Sequence, residues 1–297
     1  MTDSPLPLIV NRAGGAAAAA GDALADRLTA AFAKAGTAID LHLVEGADLP
    51  DTFRRLAGHG RVVVAGGDGT MACAAQAVRG TDTQIALLPL GTLNHLARDL
   101  GVPAEIDAAA KLAVDGSAIA IDVGDVNGHR FVNNASIGVY PEMVRSRDDT
   151  RERTGWPKWL ATAPAAWQVL SRLTHHRLHV DMGAGARPLV TPLLFVGNNH
   201  YALDAGEVGR RPSLADGKLS VYAVAHRSRM GLIWFALRAL AGRADRKRDF
   251  VAIGDCEALT VWSSGSPIEI ALDGELLRLQ SPLRFSIEPG ALNVIAP

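Results

Sequence analysis

The sequence predicts an α/β N-terminal domain built on a doubly wound parallel sheet, NAD-kinase-like in plan, followed by a mainly antiparallel β domain. Residues 1–122 alternate short apolar runs with helical patterns, and continuous apolar strands separated by helices form parallel sheets covered on both faces. After Asp122 the grammar changes: Asn127-Gly128 and Asp273-Gly274 each sit between strand-like runs, the strongest short hairpin signal. A chain of 297 residues, 48% of them hydrophobic, suffices for one large domain or two ordinary ones.

Taken in order, "LPLIV" (6–10) reads as a first strand and the alanine-heavy stretch 16–35 as a helix that stops at Gly36. "AIDLHLV" (38–44), a short helix at 53–57, "RVVVA" (61–65), a helix over 70–78 and "QIALLPL" (84–90) follow. In the second half, strands are expected at 177–182, 189–197, 218–225, 257–263 and 283–288, with helices near 158–173 and 228–241. We place the domains at 1–122 and 123–297. No Pro/Ser/Gly linker marks that boundary, so the two units are expected to pack closely around a cleft. The terminal "ALNVIAP" can return to either domain.

Lys plus Arg number 30 against 31 Asp plus Glu. No global field draws the chain to nucleic acid, and no such partner is expected. Cys73 and Cys256 are far apart and lack a CxxC spacing, which reads as two inert thiols in a reducing compartment rather than a redox pair or a zinc site. The N-terminus has no secretory pattern, and the longest apolar stretch, 230–242, is interrupted by Arg238. It is too short to span a bilayer. These features describe a cytoplasmic protein that reaches a membrane only from outside.

"RVVVAGGDGTMA" (61–72) carries the chemistry. At the carboxyl end of a parallel strand, a loop entering a helix offers free N–H groups and a positive dipole end to phosphate. Gly66, Gly67 and Gly69 let backbone approach an anion, and Thr70 can cap the helix or donate its hydroxyl. Asp68 beside phosphate calls for a cation between them, suggesting Mg²⁺. The loop alone equally fits a plain strand-to-helix turn with Asp68 as N-cap. "NRAGG" (11–15) and "LPLGTLNHLARDLG" (88–101) leave strands at the same edge, and one shared site is the economical reading. GxxxxGK[ST] is absent, as is GxGxxG with a ribose-binding acid, so neither P-loop nor dinucleotide grammar applies.

With these loops, the chain resembles the diacylglycerol kinase catalytic-domain family, particularly the small bacterial lipid kinases, a group that also includes sphingoid-base and ceramide kinases. "VNRAGG", "GGDGT", "PLGTLNHLARDLG", "NNASIG", "LADGKLSV" and "LDGE" occur in the family's order over nearly the whole length. The resemblance implies ATP-dependent phosphorylation of a lipid hydroxyl, with nucleotide on the α/β side of the cleft and lipid on the β side. It assigns Asn11, Gly15, Gly66, Gly67, Asp68, Gly69, Thr70, Gly91, Thr92 and Asn94 to ATP and its metal. Glu275 would accept the hydroxyl proton, with Asp273 beside it and Asp68 as the rival base. Ser213, Asp216 and the carbonyl of Lys218 would bind Mg²⁺, and Asp122 would join their network.

Four positions depart from the family pattern. Arg12 stands where proline is usual, Leu93 where glycine is common, His95 where aspartate is general and Val44 where threonine is frequent. Arg12 offers a guanidinium for bidentate phosphate contact. The stretch 144–177 joins Arg145, Arg147, Arg151 and Arg153 to Trp156, Trp159 and Trp167. It reads either as a membrane-docking element for the inner face of the membrane or as a packed helix behind a charged loop. Residues 230–248 raise the same question more weakly. His175 and His179 share one spacing but lack a third ligand. A homodimer stays open. An NAD kinase and a non-catalytic nucleotide- or lipid-binding protein are the competing functions.

Overall fold

The structure, a computed structural model, describes residues 4–12, 22–138, 175–201, 210–224 and 250–297. Gly15, the arginine and tryptophan residues at 145–167 and the helices expected near 158–173 and 228–241 lie outside the described residues.

The first unit alternates strand and helix. Its strands are β1 (Leu6–Asn11), β2 (Ile39–Val44), β3 (Arg61–Gly66) and β4 (Gln84–Pro89), paired in parallel in the order β2-β1-β3-β4. Val62, Val63, Val64 and Ala65 are all buried, because helices leave neither sheet face to solvent. These helices are α1 (Asp22–Lys34), α2 (Leu49–Leu56), α3 (Asp68–Ala77), α4 (His95–Asp99) and α5 (Ile106–Asp115). α2 begins earlier than 53 because Pro50 occupies its first turn, where a missing N–H costs no hydrogen bond.

The remaining strands are β5 (Ser117–Val126), β6 (His129–Phe131), β7 (Asn134–Gly138), β8 (His176–Asp181), β9 (Arg187–Thr191), β10 (Leu193–Asn198), β11 (Leu219–Val224), β12 (Phe250–Cys256), β13 (Ala258–Ser263), β14 (Ile268–Leu272), β15 (Glu275–Leu279) and β16 (Leu283–Ala296). β12, β11, β10, β7, β14 and β15 form an antiparallel sheet in that order. It packs against β5, β6, β8, β13 and β16 through a second core holding Val126, Phe131, Ile137, Val261, Ile270 and Phe285. Phe131 and Phe285 meet edge to face, with centroids 6.5 Å apart.

The run expected at 189–197 is two strands, not one. Pro192 interrupts it, since proline cannot donate to a ladder. β9 stays beside β8, whereas β10 enters the other sheet between β11 and β7. Conversely, 283–288 and the terminal run form the single strand β16, with a register shift between Glu288 and Leu292 around Pro289. Its first half belongs to the second core and its last half to the first, where it pairs in parallel with β4. β5 makes the same crossing, with Ile121 and Val123 in one core and Val126 in the other. Two continuous strands therefore join the units, and residue 122 lies within one of them.

Candidate active site

Three loops converge at the carboxyl ends of β1, β3 and β4. Gly67 is the N-cap residue of α3, so Asp68 and Thr70 both lie inside the first turn and neither caps it. Thr70 instead accepts a hydrogen bond from Asn11 Nδ2 at 3.0 Å, which ties the first loop to the second. The third loop is clasped by Asn94, whose Oδ1 accepts from Gly91 N–H at 3.0 Å and whose Nδ2 donates to the Gly91 carbonyl at 2.9 Å. Asn94 holds φ at 49°, a left-handed conformation that asparagine tolerates.

The glycines are set by packing of protein on protein. A Cβ on Gly91 would lie 2.4 Å from the Gly67 Cα. That contact is backbone on backbone and cannot yield. A Cβ on Gly69 would lie 2.8 Å from Glu275 Oε1. The glycine loop of the first unit and the acidic hairpin of the second thus share one crevice.

Asp273 and Glu275 flank that hairpin but have opposite surroundings. Asp273 Oδ2 accepts from Val132 N–H at 2.7 Å, and its Oδ1 accepts from Asn133 and Asn134 N–H at 2.7 and 3.0 Å. Burial pushes this carboxyl up to about 6, against the pull of those three donors. Glu275 is solvent-accessible, yet the walls of its concavity displace enough water to raise its pKa. Desolvation of this kind favours the neutral acid and makes the carboxylate a readier proton acceptor.

Asp68 faces the same seam. Its Oδ1 accepts from Leu96 N–H in α4 and from Asn133 Nδ2 in the β-rich unit, both at 3.3 Å. Asn133 is held in turn by Arg211, whose Nη2 donates to Asn133 Oδ1 at 2.9 Å. Arg211 Nε donates to Asp99 Oδ2 at 2.7 Å, and the two side chains are 0% and 2% exposed. Arg211 Nη1 reaches the Val132 carbonyl at 2.5 Å. Asp99, Arg211 and Tyr201, which donates to the Asn133 carbonyl at 2.9 Å, escaped the sequence reading. No local pattern marks them, because their partners lie far along the chain.

The segment 213–218 packs beside Asp122. Asp122 is buried, and its carboxylate accepts from Gly217 N–H at 2.7 Å and from Gly290 N–H at 2.9 Å. The Lys218 carbonyl accepts from Asn199 N–H at 2.9 Å, and Asp216 is exposed. The Ser213 hydroxyl, the Asp216 carboxylate and the Lys218 carbonyl are oxygen donors, the set suited to a hard divalent cation that keeps several waters. Among the described residues, no three His, Cys, Asp or Glu side chains cluster as a metal cage. Asn198 connects this segment to the seam by donating to the carbonyls of Asp122 and Val132. Arg12 is exposed, 3.9 Å from Glu45, and Thr92 is exposed at the loop tip.

Fold and site together define a two-unit protein with a glycine-loop α/β half facing an acidic hairpin from a β-rich half. The same fold is found in a Bacillus anthracis str. Sterne structure described as a diacylglycerol kinase, at a TM-score of 0.68 and 20% identity, covering 100% of this chain and 98% of that one. The profile of the diacylglycerol kinase catalytic domain matches residues 5–126. Over 247 residues the chain is 31% identical to a Pseudomonas fluorescens protein named "Probable lipid kinase YegS-like", covering 81% of this chain and 79% of the relative. A Pseudomonas aeruginosa protein of the same name is 31% identical over 252 residues, with 81% and 78% covered. The chain belongs to the diacylglycerol kinase catalytic-domain family, among the YegS-like lipid kinases.

Proposed function

We propose that the chain is an ATP-dependent lipid kinase that transfers the γ-phosphate to the hydroxyl of a diacylglycerol-type acceptor at a membrane surface. The observation that carries this reading is the approach of Glu275 to Gly69, which sets a proton acceptor against the start of α3. In this role Glu275 takes the hydroxyl proton while the acceptor oxygen bonds to the γ-phosphorus. The bond from that phosphorus to the β–γ bridging oxygen breaks, and ADP leaves. Phosphoryl transfer asks chiefly for alignment and charge spreading. The backbone at 66–70 and 91–92, with the Gly91 N–H already held by Asn94, and the Asn11 and Thr70 side chains are assigned to the triphosphate.

Asp68 already accepts two hydrogen bonds through one oxygen. We therefore assign it to the cation accompanying the triphosphate, and the proton to Glu275. Asp273, saturated by backbone donors, positions the hairpin. Mg²⁺, when bound, neutralises charge, and Ser213, Asp216 and the Lys218 carbonyl would hold a second ion that braces the seam. Asp122 buttresses that loop by accepting the Gly217 N–H and donating its own N–H to the Leu214 carbonyl. Among the described residues, no helix is long and apolar enough to cross a membrane, in keeping with an enzyme that meets its lipid from one face.

The test is an acceptor panel of diacylglycerol, ceramide, sphingosine and NAD, with labelled ATP and Mg²⁺ in mixed micelles. Transfer to a lipid that disappears in Glu275→Gln is expected. Labelling of NAD and of no lipid would overturn the reading, and ATP binding without transfer to any acceptor would replace it with a binding protein.

A further inference from the structure

Past the glycine loop, α3 keeps one face toward the β-rich unit. Ala72, Cys73, Gln76 and Ala77 follow Gly69 at helical spacing, and beside them opens a cavity of about 420 Å³ whose far wall is Leu272, Glu275 and Leu277. The nucleotide-loop residues Asn11, Gly91 and Asn94 do not line it. The cavity starts one helical turn beyond the loop, on the other side of Glu275.

Of its polar lining groups, Gln76, Arg130 and Arg54 are engaged, whereas His129 and Glu275 are exposed. Gln76 accepts from Arg130 N–H at 2.9 Å and donates to the Gly128 carbonyl, and Arg54 at the rim pairs with Asp51. Glu275 differs, because burial alone shifts its pKa and no hydrogen bond offsets it. A hollow that sets Pro50, Ala72, Ala77, Leu272 and Leu277 beside one carboxylate, with basic groups from Arg54, His129 and Arg130 also in its lining, suits a molecule with a hydrocarbon portion and a hydroxyl. The volume sits within the roughly 300–1,000 Å³ of small-ligand sites. It is too small for two long acyl chains.

We propose that this cavity receives the hydroxyl-bearing end of the lipid acceptor, its first chain carbons against Ala72, Leu272 and Leu277 and its hydroxyl at Glu275. The assignment rests on the lipid-kinase reading, and the remaining chain length stays in the bilayer or micelle. Cys73, in the wall, is a built-in reporter. Burial and the charge of Glu275 push its thiol up to about 11, so it labels slowly and only at alkaline pH. Cys256 is the one other cysteine.

Two arms test the site. Cys73→Trp and Leu277→Trp fill the cavity from opposite walls, and each is expected to raise KM for dioctanoylglycerol about tenfold or more. The Kd for a fluorescent ATP analogue is expected to stay within about twofold, since the filled volume lies away from the nucleotide loops. In a Cys256→Ser background, dioctanoylglycerol in micelles is expected to slow maleimide labelling of Cys73, whereas a non-hydrolysable ATP analogue leaves it unchanged. The labelling arm needs no bulky substitution, so misfolding of the tryptophan variants does not decide the matter. Wild-type transfer with unaltered KM in both folded variants, or protection by the nucleotide alone, overturns the site and leaves the kinase standing. Wild-type protein that phosphorylates no lipid overturns both.

Discussion

The two Asx-Gly hairpins carry the same local signal and do different work. Asn127 and Gly128 hold φ at 51° and 88°, and Asp273 and Gly274 hold 48° and 91°, the left-handed pair of a type I′ turn. Asn127 uses its amide to fasten its turn to a neighbouring loop, donating to the carbonyls of Gln280 and Pro282 and accepting from Arg284 N–H at 2.8 Å. Asp273 points its carboxylate inward onto the three N–H groups of 132–134, and the following Glu275 is thereby delivered to Gly69. Backbone geometry is common to both; the charge on the first residue and the acid two places later separate a clasp from a hairpin that presents a carboxylate to the glycine loop.

Glu275→Gln breaks the comparison most sharply. Removing a general base costs about 10²–10⁴-fold, and that loss is expected in kcat with little change in Tm, since the side chain is solvent-accessible. An unaltered kcat would return the proton to Asp68. In wild type, the acid limb of kcat/KM is expected above 4.5, the ordinary value for this side chain. The sign follows from desolvation: the raised pKa means the base is protonated, and the rate lost, at a higher pH than for a solvated glutamate. A limb at or below 4.5 would contradict the assignment.

Gly69→Ala comes next. The new Cβ would lie 2.8 Å from Glu275 Oε1, and the flexible carboxylate can swing aside at little cost in stability. Alanine in place of a helical glycine even favours α3 by about 0.5–1 kcal/mol. A displaced base is costly, because a misplacement of about 1 Å can lower a rate about 10²-fold. A variant as stable as wild type or more so, yet about 10²-fold slower in lipid phosphorylation, is expected from thermal melts and initial rates. Unchanged rates would separate the loop from the hairpin.

Asp273→Asn probes the anchor rather than the base. Whichever way the amide is turned, its NH₂ meets at least one of three backbone donors, a buried mismatch of about 1–3 kcal/mol. Denaturant melts are expected to show that loss. A kcat that falls with the lipid KM nearly constant would mark Asp273 as positioning Glu275, whereas lost stability with normal kcat would reduce it to a structural clasp like Asn127.

What could be read in advance follows the range of the forces involved. β1, β3 and β4 were legible because burial on both faces writes unbroken apolar runs, and the hairpins because left-handed turns demand Asn-Gly or Asp-Gly. β12 was not legible, since Gly254 and Asp255 interrupt its pattern and neighbours alone make it a strand. The splitting of 189–197 at Pro192 was visible in principle, but the choice of a different sheet for each half is a tertiary decision. At the site, the glycine loop is marked by residue type and position, and Glu275 by the resemblance of its LDGE stretch to the family pattern. Apart from Asp68, the members of the Asp99–Arg211–Asn133–Asp68 chain do not announce themselves. They are common residues linked by contacts across as many as 112 positions, and only folding brings them together.

Asn127→Gly is the smallest expected effect and the control that gives the comparison its edge. Glycine keeps the positive φ without strain, so the turn survives and only the three side-chain hydrogen bonds to the 280–284 segment are lost. These bonds are exposed, which limits the loss to about 1 kcal/mol and the fall in Tm to about 2–4 °C. Lipid phosphorylation per folded molecule is expected to match wild type, because none of the Asn127 side-chain bonds leads to Glu275 or the glycine loop. A kinetic defect here, measured beside the Asp273→Asn variant, would mean that both hairpins feed the crevice and that the division between clasp and catalytic turn is wrong.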